Sequence, residues 1–308
     1  MEQPLVSVIT ITRNRGDLIG RCIKSVQTQT YQSFEHIIVD GASTDNTEEV
    51  VKSFNNNRIR YYKTTEEEAG YVDCYKKAFS EIKGKYLCFL DDDDEYLPNK
   101  IEKQVGLIES LPEDYGLVYC WMTYYDAKTH KVLRIHNPQL RGDVSLDVVE
   151  KPAVSGTPTF LIRTEAFFKL GGWVSAEESG VASDWAFGAR FCQHYKVDYV
   201  PESLINVYIN HSHVRMSNAG DYYHEAEKKY IKFHNYFLST YSDIFKRYPQ
   251  KGWCHYYGLA YSNLKIGNIK EGLAFYFKLL RYKPSIPHFL LPVRVFLLQI
   301  KGFFSGKD

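Results

Sequence analysis

Apolar residues in the first 95 positions follow two different periods. Continuous runs rich in β-branched residues predict strands buried on both faces at Leu5–Ile11, His36–Val39, Ile59–Tyr62 and Tyr86–Leu90. Between these runs, apolar residues recur at helical spacing at 18–26, 50–54 and 71–82. This strand–helix alternation predicts a mostly parallel sheet with right-handed crossovers, whose ligands bind beyond the carboxyl ends of the strands.

Polar clusters follow three of these predicted strands. The first strand runs into Thr12-Arg13-Asn14-Arg15, the second into Asp40-Gly41-Ala42-Ser43-Thr44-Asp45, and the fourth into Asp91-Asp92-Asp93-Asp94-Glu95. No GxGxxG follows any strand and no GxxxxGK[ST] is present, which disfavours the usual dinucleotide fold and the P-loop. The ligand is therefore not held by a glycine-rich phosphate cradle.

The four consecutive aspartates need a counter-charge, because carboxylates about 4–6 Å apart raise one another's pKa. If strand geometry persists, Asp91 and Asp93 point to one side and Asp92 and Asp94 to the other. One such pair can hold a hard divalent cation, and magnesium is typically shared with the phosphates of a substrate. The alternative is an acidic, solvated turn.

Composition narrows the class of protein. The chain has 308 residues, 38 Lys+Arg against 37 Asp+Glu, and 24% charged residues, which are values of a folded globular protein of about two domains. A net charge of +1 gives no reason to expect nucleic acid as a partner. The opening MEQPLVSVIT does not read as a signal peptide, and the six cysteines form no CxxC pair, so we expect a cytoplasmic protein with reduced thiols.

After Pro98 the pattern predicts a helix over Lys100–Ser110, a strand over Gly116–Thr123 and a hairpin around 127–134. The glycine pair of Gly171-Gly172-Trp173 suits either a tight turn or a close approach to a sugar. Ser183 is an N-cap candidate for the helix that Asp184 and Trp185 begin. The helix dipole should keep Asp184 ionised, which fits either a general base or a stabilising residue without chemistry.

The last quarter of the chain is helical and basic. Residues 222–248 have helical spacing, and Tyr256 to Pro284 fits one tetratricopeptide-like repeat, which must pack on the preceding helices or on a partner. Residues 244–308 hold eleven Lys or Arg and two acids, a charge of +9 that leaves −8 for the remainder. The interrupted apolar segment Phe289–Phe304 is too short to span a bilayer. It could lie among lipid headgroups or pack on the body of the protein.

The three polar blocks together resemble the family-2 glycosyltransferases of the GT-A fold, over residues 4–220. The resemblance implies an α/β fold with a central mixed sheet and a C-terminal helical extension. It divides the chain into a nucleotide-sugar-binding half at 1–115, an acceptor-binding half at 116–221 and a helical region at 222–308.

The resemblance also implies a donor site. The first two blocks would bind the nucleotide, with Thr12 lining the base pocket beside Asn14 and with Asp40 hydrogen-bonded to the base. Arg13 stands where the family often has tyrosine, and its guanidinium could stack on the base instead. In the acidic block, Asp91 and Asp92 would meet the nucleotide, and Asp93 would ligate Mg²⁺ or Mn²⁺.

Further residues follow from weaker matches to the family. Asp73 would touch the ribose or the sugar, its alternative being a helix N-terminal acid favoured by the dipole. Asp184 matches the family's catalytic base, with Glu178 as the fallback. His211, His213 and Arg215 resemble a loop that folds over the diphosphate; the alternative is plain surface.

The implied activity is an inverting, metal-dependent transfer of a sugar from a nucleotide-sugar, usually a UDP-sugar, to a hydroxyl group. With the basic tail, the resemblance favours a lipid-linked glycan acceptor and a peripheral position on the inner membrane face, as in cell-surface polysaccharide assembly. Two alternatives stay open. One is a non-catalytic sugar-nucleotide-binding adaptor. The other is a nucleotidyltransferase, which would typically carry a glycine-rich N-terminal loop, whereas Thr10–Asp17 has only Gly16.

Overall fold

The computed structural model describes residues 3–152, 154, 156–174, 176–180, 183–210 and 223–296. The chain divides into two compact units. The first consists of Met1–Val144, Val154–Gly172 and Phe191–Ser212, and the second of Ser145–Ala153, Trp173–Arg190 and His213–Asp308. The boundaries expected at residues 115 and 221 stay a prediction.

Unit 1 is built on one mixed sheet of nine strands: β1 (Val6–Thr12), β2 (Phe34–Asp40), β3 (Ile59–Lys63), β4 (Tyr86–Phe89), β5 (Glu95–Tyr96), β6 (Tyr115–Asp126), β7 (Val132–His136), β8 (Leu161–Arg163) and β9 (Lys196–Ile209). Their order is β3-β2-β1-β4-β8-β6-β9-β5, with β7 added to β6. The first four strands are parallel, and β8 runs antiparallel to β4 and β6. The predicted mixed α/β sheet is therefore confirmed.

The helices are, in chain order, α1 (Ile19–Gln27), α2 (Thr47–Ser53), α3 (Tyr71–Ser80), α4 (Lys100–Ser110), α5 (Ser145–Glu150), α6 (Thr164–Lys169), α7 (Ala176–Ser179), α8 (Ser183–Phe191), α9 (Tyr223–Thr240), α10 (Ser242–Arg247), α11 (Trp253–Lys265), α12 (Ile269–Tyr282) and α13 (Ile286–Phe289). In unit 1 the apolar side of α1, with Cys22 and Val26, and that of α4, with Ile101 and Ile108, pack on buried residues of β1 such as Val8. This burial explains the helical spacing seen in the sequence.

In unit 2 the predicted repeat is a pair of helices, α11 and α12. Buried Tyr256, Ala260 and Leu264 of α11 pack against Leu279 of α12, and Leu238 of α9 joins the same cluster. One helix pair cannot bury its own apolar face. The pair buries its apolar face by packing on the preceding helix, α9. This is one of the two arrangements expected from the sequence.

The start of the basic tail packs on unit 2. Leu291 and Val295 are buried in the α11–α12 cluster, so up to residue 296 one side of the tail is covered. Residues 297–308, with Lys301, lie outside the described part of the chain. Within the described part, we find no helix with the length and apolarity needed to cross a bilayer.

A hydrogen bond between two buried histidines in unit 2 fixes the tautomer of each ring. His255 Nε2 lies 2.8 Å from the carbonyl oxygen of Val149 and must donate to it, so the Nδ1 of a neutral His255 accepts. His234 Nδ1, at 3.1 Å from that atom, is then the donor. Burial lowers the pKa of His234 to about 3 and that of His255 to about 4.

A third buried histidine lies in the sheet of unit 1. Thr10 Oγ1 donates its only proton to the carbonyl oxygen of Leu90 at 2.9 Å, so it accepts from His36 Nε2 at 2.9 Å. Burial lowers the pKa of His36 to about 3. A proton on His36 would therefore be added to a fully buried ring.

We predict that stability falls with acid because of these three histidines. The unfolded chain takes up protons near pH 6.5, whereas the folded chain holds the histidines neutral down to about pH 4. The free energy of unfolding should therefore decrease as the pH falls through that window, by about 1.4 kcal/mol per pH unit for each histidine. Urea denaturation between about pH 7 and pH 5 measures the slope.

His36→Asn should make that slope shallower by about one proton, whatever its effect on stability at neutral pH. The exposed His194→Asn is the matched control and should leave the slope in place. An unchanged slope in His36→Asn would show that the buried imidazole is not the group responsible.

Candidate active site

The polar ends of β1 and β2 are joined by direct hydrogen bonds. The parallel register places Thr12 opposite Asp40, and the Gly41 amide donates to the Thr12 carbonyl at 2.9 Å. Asn14, with a left-handed φ of 52°, turns its side-chain oxygen to accept from the Thr44 amide at 2.8 Å. The two blocks are one surface, as the carboxyl-end rule for parallel strands predicts.

The acidic block is a turn rather than a continuation of the strand. β4 ends at Phe89, and the Asp94 amide donates to the Asp91 carbonyl at 3.1 Å. The strand geometry on which the alternation of the aspartates was conditional therefore ends before the block, and the turn redirects the side chains. Carboxylate oxygens of Asp91, Asp93 and Asp94 lie within 4.8 Å of one another. Asp92 is buried beside this triplet.

Arginines from the first block and from α1 reach the acidic turn. Arg15 Nη1 lies 3.8 Å from Asp93 Oδ2, and both side chains are largely buried. Arg21 donates to the Asp93 carbonyl and places its guanidinium 3.7 Å from the centre of the Tyr208 ring. Positive charge from the protein therefore offsets part of the repulsion among the aspartates.

The end of β9 supports the same turn. The Tyr208 amide donates to Asp94 Oδ1 at 3.1 Å, and the Tyr208 hydroxyl donates to Glu95 Oε2 at 2.9 Å. Asp94 is thus fixed through one oxygen by a backbone that lies 114 positions further along the chain. The strand leads on to residues 211–222, so His211, His213 and Arg215 fall outside the described residues.

In the predicted base pocket, the carboxylate of Asp40 accepts hydrogen bonds from the protein, whereas the hydroxyl of Thr12 makes none to the described residues. Asp40 is fully buried and accepts from the Ser43 amide at 2.7 Å and from the Tyr61 hydroxyl at 2.6 Å. Each oxygen keeps a lone pair for a further donor. Thr12 Oγ1 is buried and makes no hydrogen bond to the described residues, and Arg13, at the rim, pairs with Glu66 at 2.9 Å.

Asp73 lies in the first turn of α3 and accepts from Lys76 Nζ at 2.9 Å. The start of α3 adjoins the second block, because a Cβ atom on Gly41 would come within 2.9 Å of the Ala69 carbonyl oxygen. The segment expected to cover the donor thus lies beside the β2 end. A helix-capping acid and a sugar contact are both compatible with this position of Asp73.

In unit 2, Asp184 lies in the first turn of α8. Its Oδ1 accepts from the Trp185 amide at 2.8 Å, while burial raises the pKa of the carboxyl group. The helix dipole alone predicted a lowered pKa, and the effect of burial is larger than that of the dipole. Trp185 anchors the helix through its indole N–H, 2.6 Å from the Val148 carbonyl oxygen, and by stacking on His255.

Other predictions in this region have simple outcomes. Glu178, the fallback base, is exposed in α7. Gly171 and Gly172 have φ of 79° and 73°, and their amides donate to carbonyls at the end of α6. The glycine pair therefore forms a tight turn after the helix. The side chain of Ser183 lies outside the described part, so its capping role stays a prediction.

Sequence reasoning missed four residues that shape the acidic turn: Arg15, Arg21, Asp94 and Tyr208. Arg15 and Asp94 stood within the polar blocks, and their position there was a usable signal. Arg21 and Tyr208 gave none, because an arginine on a helix and a tyrosine in a strand are ordinary residues there.

The sheet order and an acidic turn at the end of β4 define an α/β fold of the GT-A type. The sequence profile of glycosyl transferase family 2 matches residues 7–170, and the chain belongs to that family. The predicted family and fold are confirmed.

Two curated relatives illustrate the match. An uncharacterized glycosyltransferase of Rickettsia typhi is 31% identical over 171 residues, covering 54% of this chain and 53% of the relative. The Escherichia coli enzyme WfgD, a UDP-Glc:α-D-GlcNAc-diphosphoundecaprenol β-1,3-glucosyltransferase, is 34% identical over 108 residues, covering 35% of this chain and 42% of WfgD. The chain thus aligns with about half the length, or less, of these relatives.

Among solved structures, residues 1–349 of S. aureus TarS in complex with UDP-GlcNAc give a TM-score of 0.61 at 13% identity. The alignment covers 98% of this chain and 92% of TarS 1–349. At this identity the likeness concerns the fold.

We predict that Asp94 belongs to the cation site. Asp94→Asn and Asp93→Asn should each weaken Mn²⁺ binding by at least roughly tenfold, because each removes a negative charge from the triplet. Electron paramagnetic resonance titration of free Mn²⁺ gives the affinity. Asp243→Asn, a highly exposed acid in unit 2, is the matched control. Unchanged Mn²⁺ affinity in Asp94→Asn alone would restrict Asp94 to supporting the turn.

Proposed function

We propose that the chain is an inverting, metal-dependent glycosyltransferase that moves a sugar from a UDP-sugar to a hydroxyl group of a glycan. The observation that carries the proposal is the triplet Asp91, Asp93 and Asp94, placed where three strand ends meet in a family-2 chain. Clustered carboxylate oxygens suit a hard cation, and such a cation suits a diphosphate.

The donor would lie across the joined blocks. We propose that Thr12, Arg13, Asn14 and Asp40 form the nucleoside pocket. The buried Thr12 hydroxyl, which bonds to no described residue, supports this assignment. UDP as the nucleotide is supported by the names of TarS bound to UDP-GlcNAc and of the UDP-Glc-dependent WfgD.

The residues present fit Mg²⁺ or Mn²⁺. Asp93 with Asp91 and Asp94 would hold the ion through oxygen atoms, and Asp92 would add negative charge behind them. When bound, such an ion neutralises charge on a diphosphate leaving group. Arg15 and Arg21 keep the turn in place. Asp73 is proposed to contact the ribose or the sugar, and His211, His213 and Arg215 the diphosphate.

We propose Asp184 as the general base, with Oδ2 receiving the proton of the acceptor hydroxyl while Oδ1 stays bonded to the Trp185 amide. Burial raises the pKa of Asp184, which makes its carboxylate a stronger base than an exposed one. Anchoring of Trp185 on Val148 and His255 fixes the direction of the carboxylate. Glu178 is the alternative base.

The acceptor is proposed to be a lipid-linked glycan. The support is the name of WfgD, whose acceptor is a diphosphoundecaprenol-linked sugar, together with the basic C-terminal region. The protein would then work in the cytoplasm, peripherally on the inner face of the membrane, in cell-surface polysaccharide assembly.

A panel of nucleotide-sugars tests the donor assignment. With Mn²⁺ present, a UDP-sugar should raise the melting temperature, whereas the same sugar without metal should raise it much less. ADP-sugars and GDP-sugars are the matched ligands. Stabilisation by none of them would contradict the donor site, and metal-dependent binding without turnover on any acceptor would favour a non-catalytic adaptor.

We predict that Asp184→Asn lowers transfer by roughly 10²–10⁴-fold, because the amide cannot accept the proton. The affinity for the UDP-sugar, measured by calorimetry, should be unchanged. Glu178→Gln is the matched control and should transfer normally. The reverse pattern, with Glu178→Gln inactive and Asp184→Asn active, would move the base to Glu178.

A further inference from the structure

An apolar helix face in unit 2 is exposed instead of buried. The helical path of α13 continues through residues 291–296, since the Leu290 amide donates to the Ile286 carbonyl at 3.2 Å and the Arg294 amide donates to the Leu290 carbonyl at 3.0 Å. The side chains of Ile286, Phe289, Leu290, Val293 and Phe296 are 49–77% exposed. We call these five residues the outer face.

The outer face is not the surface that packs on unit 2. Its members follow the i, i+3, i+4, i+7 spacing of one helix side. Leu291 and Val295, four residues apart, are buried on the opposite side in the α11–α12 cluster. The tail is therefore already fixed to the protein, and its second apolar stripe stays exposed in the described part of the chain.

The neighbouring helix also exposes apolar side chains. The Tyr276 hydroxyl donates to the Phe289 carbonyl at 3.1 Å, which joins α12 to α13. On α12, Ile269, Leu273 and Phe277 recur every four residues and are also exposed. A group of large exposed apolar side chains of this kind marks a binding surface in a folded protein.

The charged residues around this surface indicate the chemistry of the partner that it would bind. Residues 253–296 contain six Lys or Arg and one acid, a net charge of +5. Lys270, Lys278, Arg281, Lys283 and Arg294 are all exposed on the same two helices or next to them. An apolar helix side flanked by cations matches an anionic lipid surface, where acyl chains receive the apolar groups and headgroups receive the charges.

We propose that the outer face docks the protein in the headgroup layer of an anionic membrane. The inference deepens the proposed function and rests on it, because a lipid-linked acceptor gives the protein a reason to bind a membrane. Its physical basis is the helix surface, which is independent of the donor site. Both expectations for the tail are then met in different places: one side of the helix packs on unit 2, and the other side enters the lipid.

Sedimentation with vesicles tests the proposal on the full chain. The protein should bind vesicles that contain phosphatidylglycerol and should bind pure phosphatidylcholine vesicles much more weakly, with affinity decreasing as salt is added. The double variant Phe289→Glu/Phe296→Glu should lose at least roughly tenfold in partition coefficient, since two rings that would enter the lipid are replaced by charges. Because both side chains are exposed, its melting temperature should be unchanged.

Matched controls separate the face from general surface effects. Val132→Glu/Ile135→Glu changes two apolar residues of similar exposure on β7 of unit 1 and should bind vesicles normally. Arg281→Gln/Arg294→Gln should lower binding roughly fivefold for each charge removed. Lys128→Gln/Lys131→Gln, in the exposed hairpin of unit 1, removes the same charge and should have a much smaller effect.

Three results would overturn the proposal. The first is a wild-type protein that stays in the supernatant with anionic vesicles at low salt. The second is a change of the oligomeric state in Phe289→Glu/Phe296→Glu without lipid, which would make the face an interface between copies of the chain. The third is loss of vesicle binding on deletion of residues 297–308 with normal binding by the face variants, which would place the contact in that segment.

Failure here is distinguishable from failure of the proposed function. Metal-dependent UDP binding is measured on the same samples by calorimetry. Vesicle binding that is absent while UDP still binds refutes the docking face alone. Vesicle binding that persists without any UDP binding refutes the donor site alone.

Discussion

The repulsion among carboxylates at the end of β4 is the constraint on which the site depends. Three carboxylates within 4.8 Å repel one another by about 3–4 kcal/mol per pair at an effective dielectric constant of ~20. The sum is of the order of the whole net stability of a domain, ~5–15 kcal/mol. Arg15 Nη1, 3.8 Å from Asp93 Oδ2, offsets part of this repulsion. A divalent cation bound as proposed would offset more of this repulsion, which connects the shape of the turn to the proposed phosphate-bearing donor.

Much of the fold followed from the sequence, because it depends on local periodicity. The predicted α4 agrees with the structure at both ends, and β1 and β2 differ from their predicted bounds by two residues at most. The polar blocks were placed correctly since parallel strands bring their carboxyl ends to one edge. The shape of the acidic block was not predictable in this way. Strand alternation ends at Phe89, and the turn depends on contacts with Arg21 and Tyr208, which lie far away in the sequence.

Asp184 shows why the pKa of a site residue could not be predicted from the sequence. The helix dipole is a local property and predicted an easily ionised carboxylate, whereas the pKa is raised because the surrounding fold removes water from the group. The helix that carries Asp184 is held by separate segments, because the Trp185 indole N–H bonds to the Val148 carbonyl and its ring stacks on His255. Sequence reasoning could name the residue but could not determine the direction of its pKa, since burial depends on tertiary structure.

Tertiary structure also decides which apolar residues of the C-terminal helix are buried. A stretch that is apolar on all sides predicts either a buried helix or a membrane contact, and the sequence alone could not choose. The structure shows that the two halves of the helix surface have different environments, because Leu291 and Val295 are covered while Phe289 and Phe296 are not. A helix pinned along one side keeps its other side in a fixed orientation, so little conformational entropy is lost when that side meets a lipid surface. Packing on the protein and binding to a membrane are therefore cooperating properties of one segment rather than competing explanations of it.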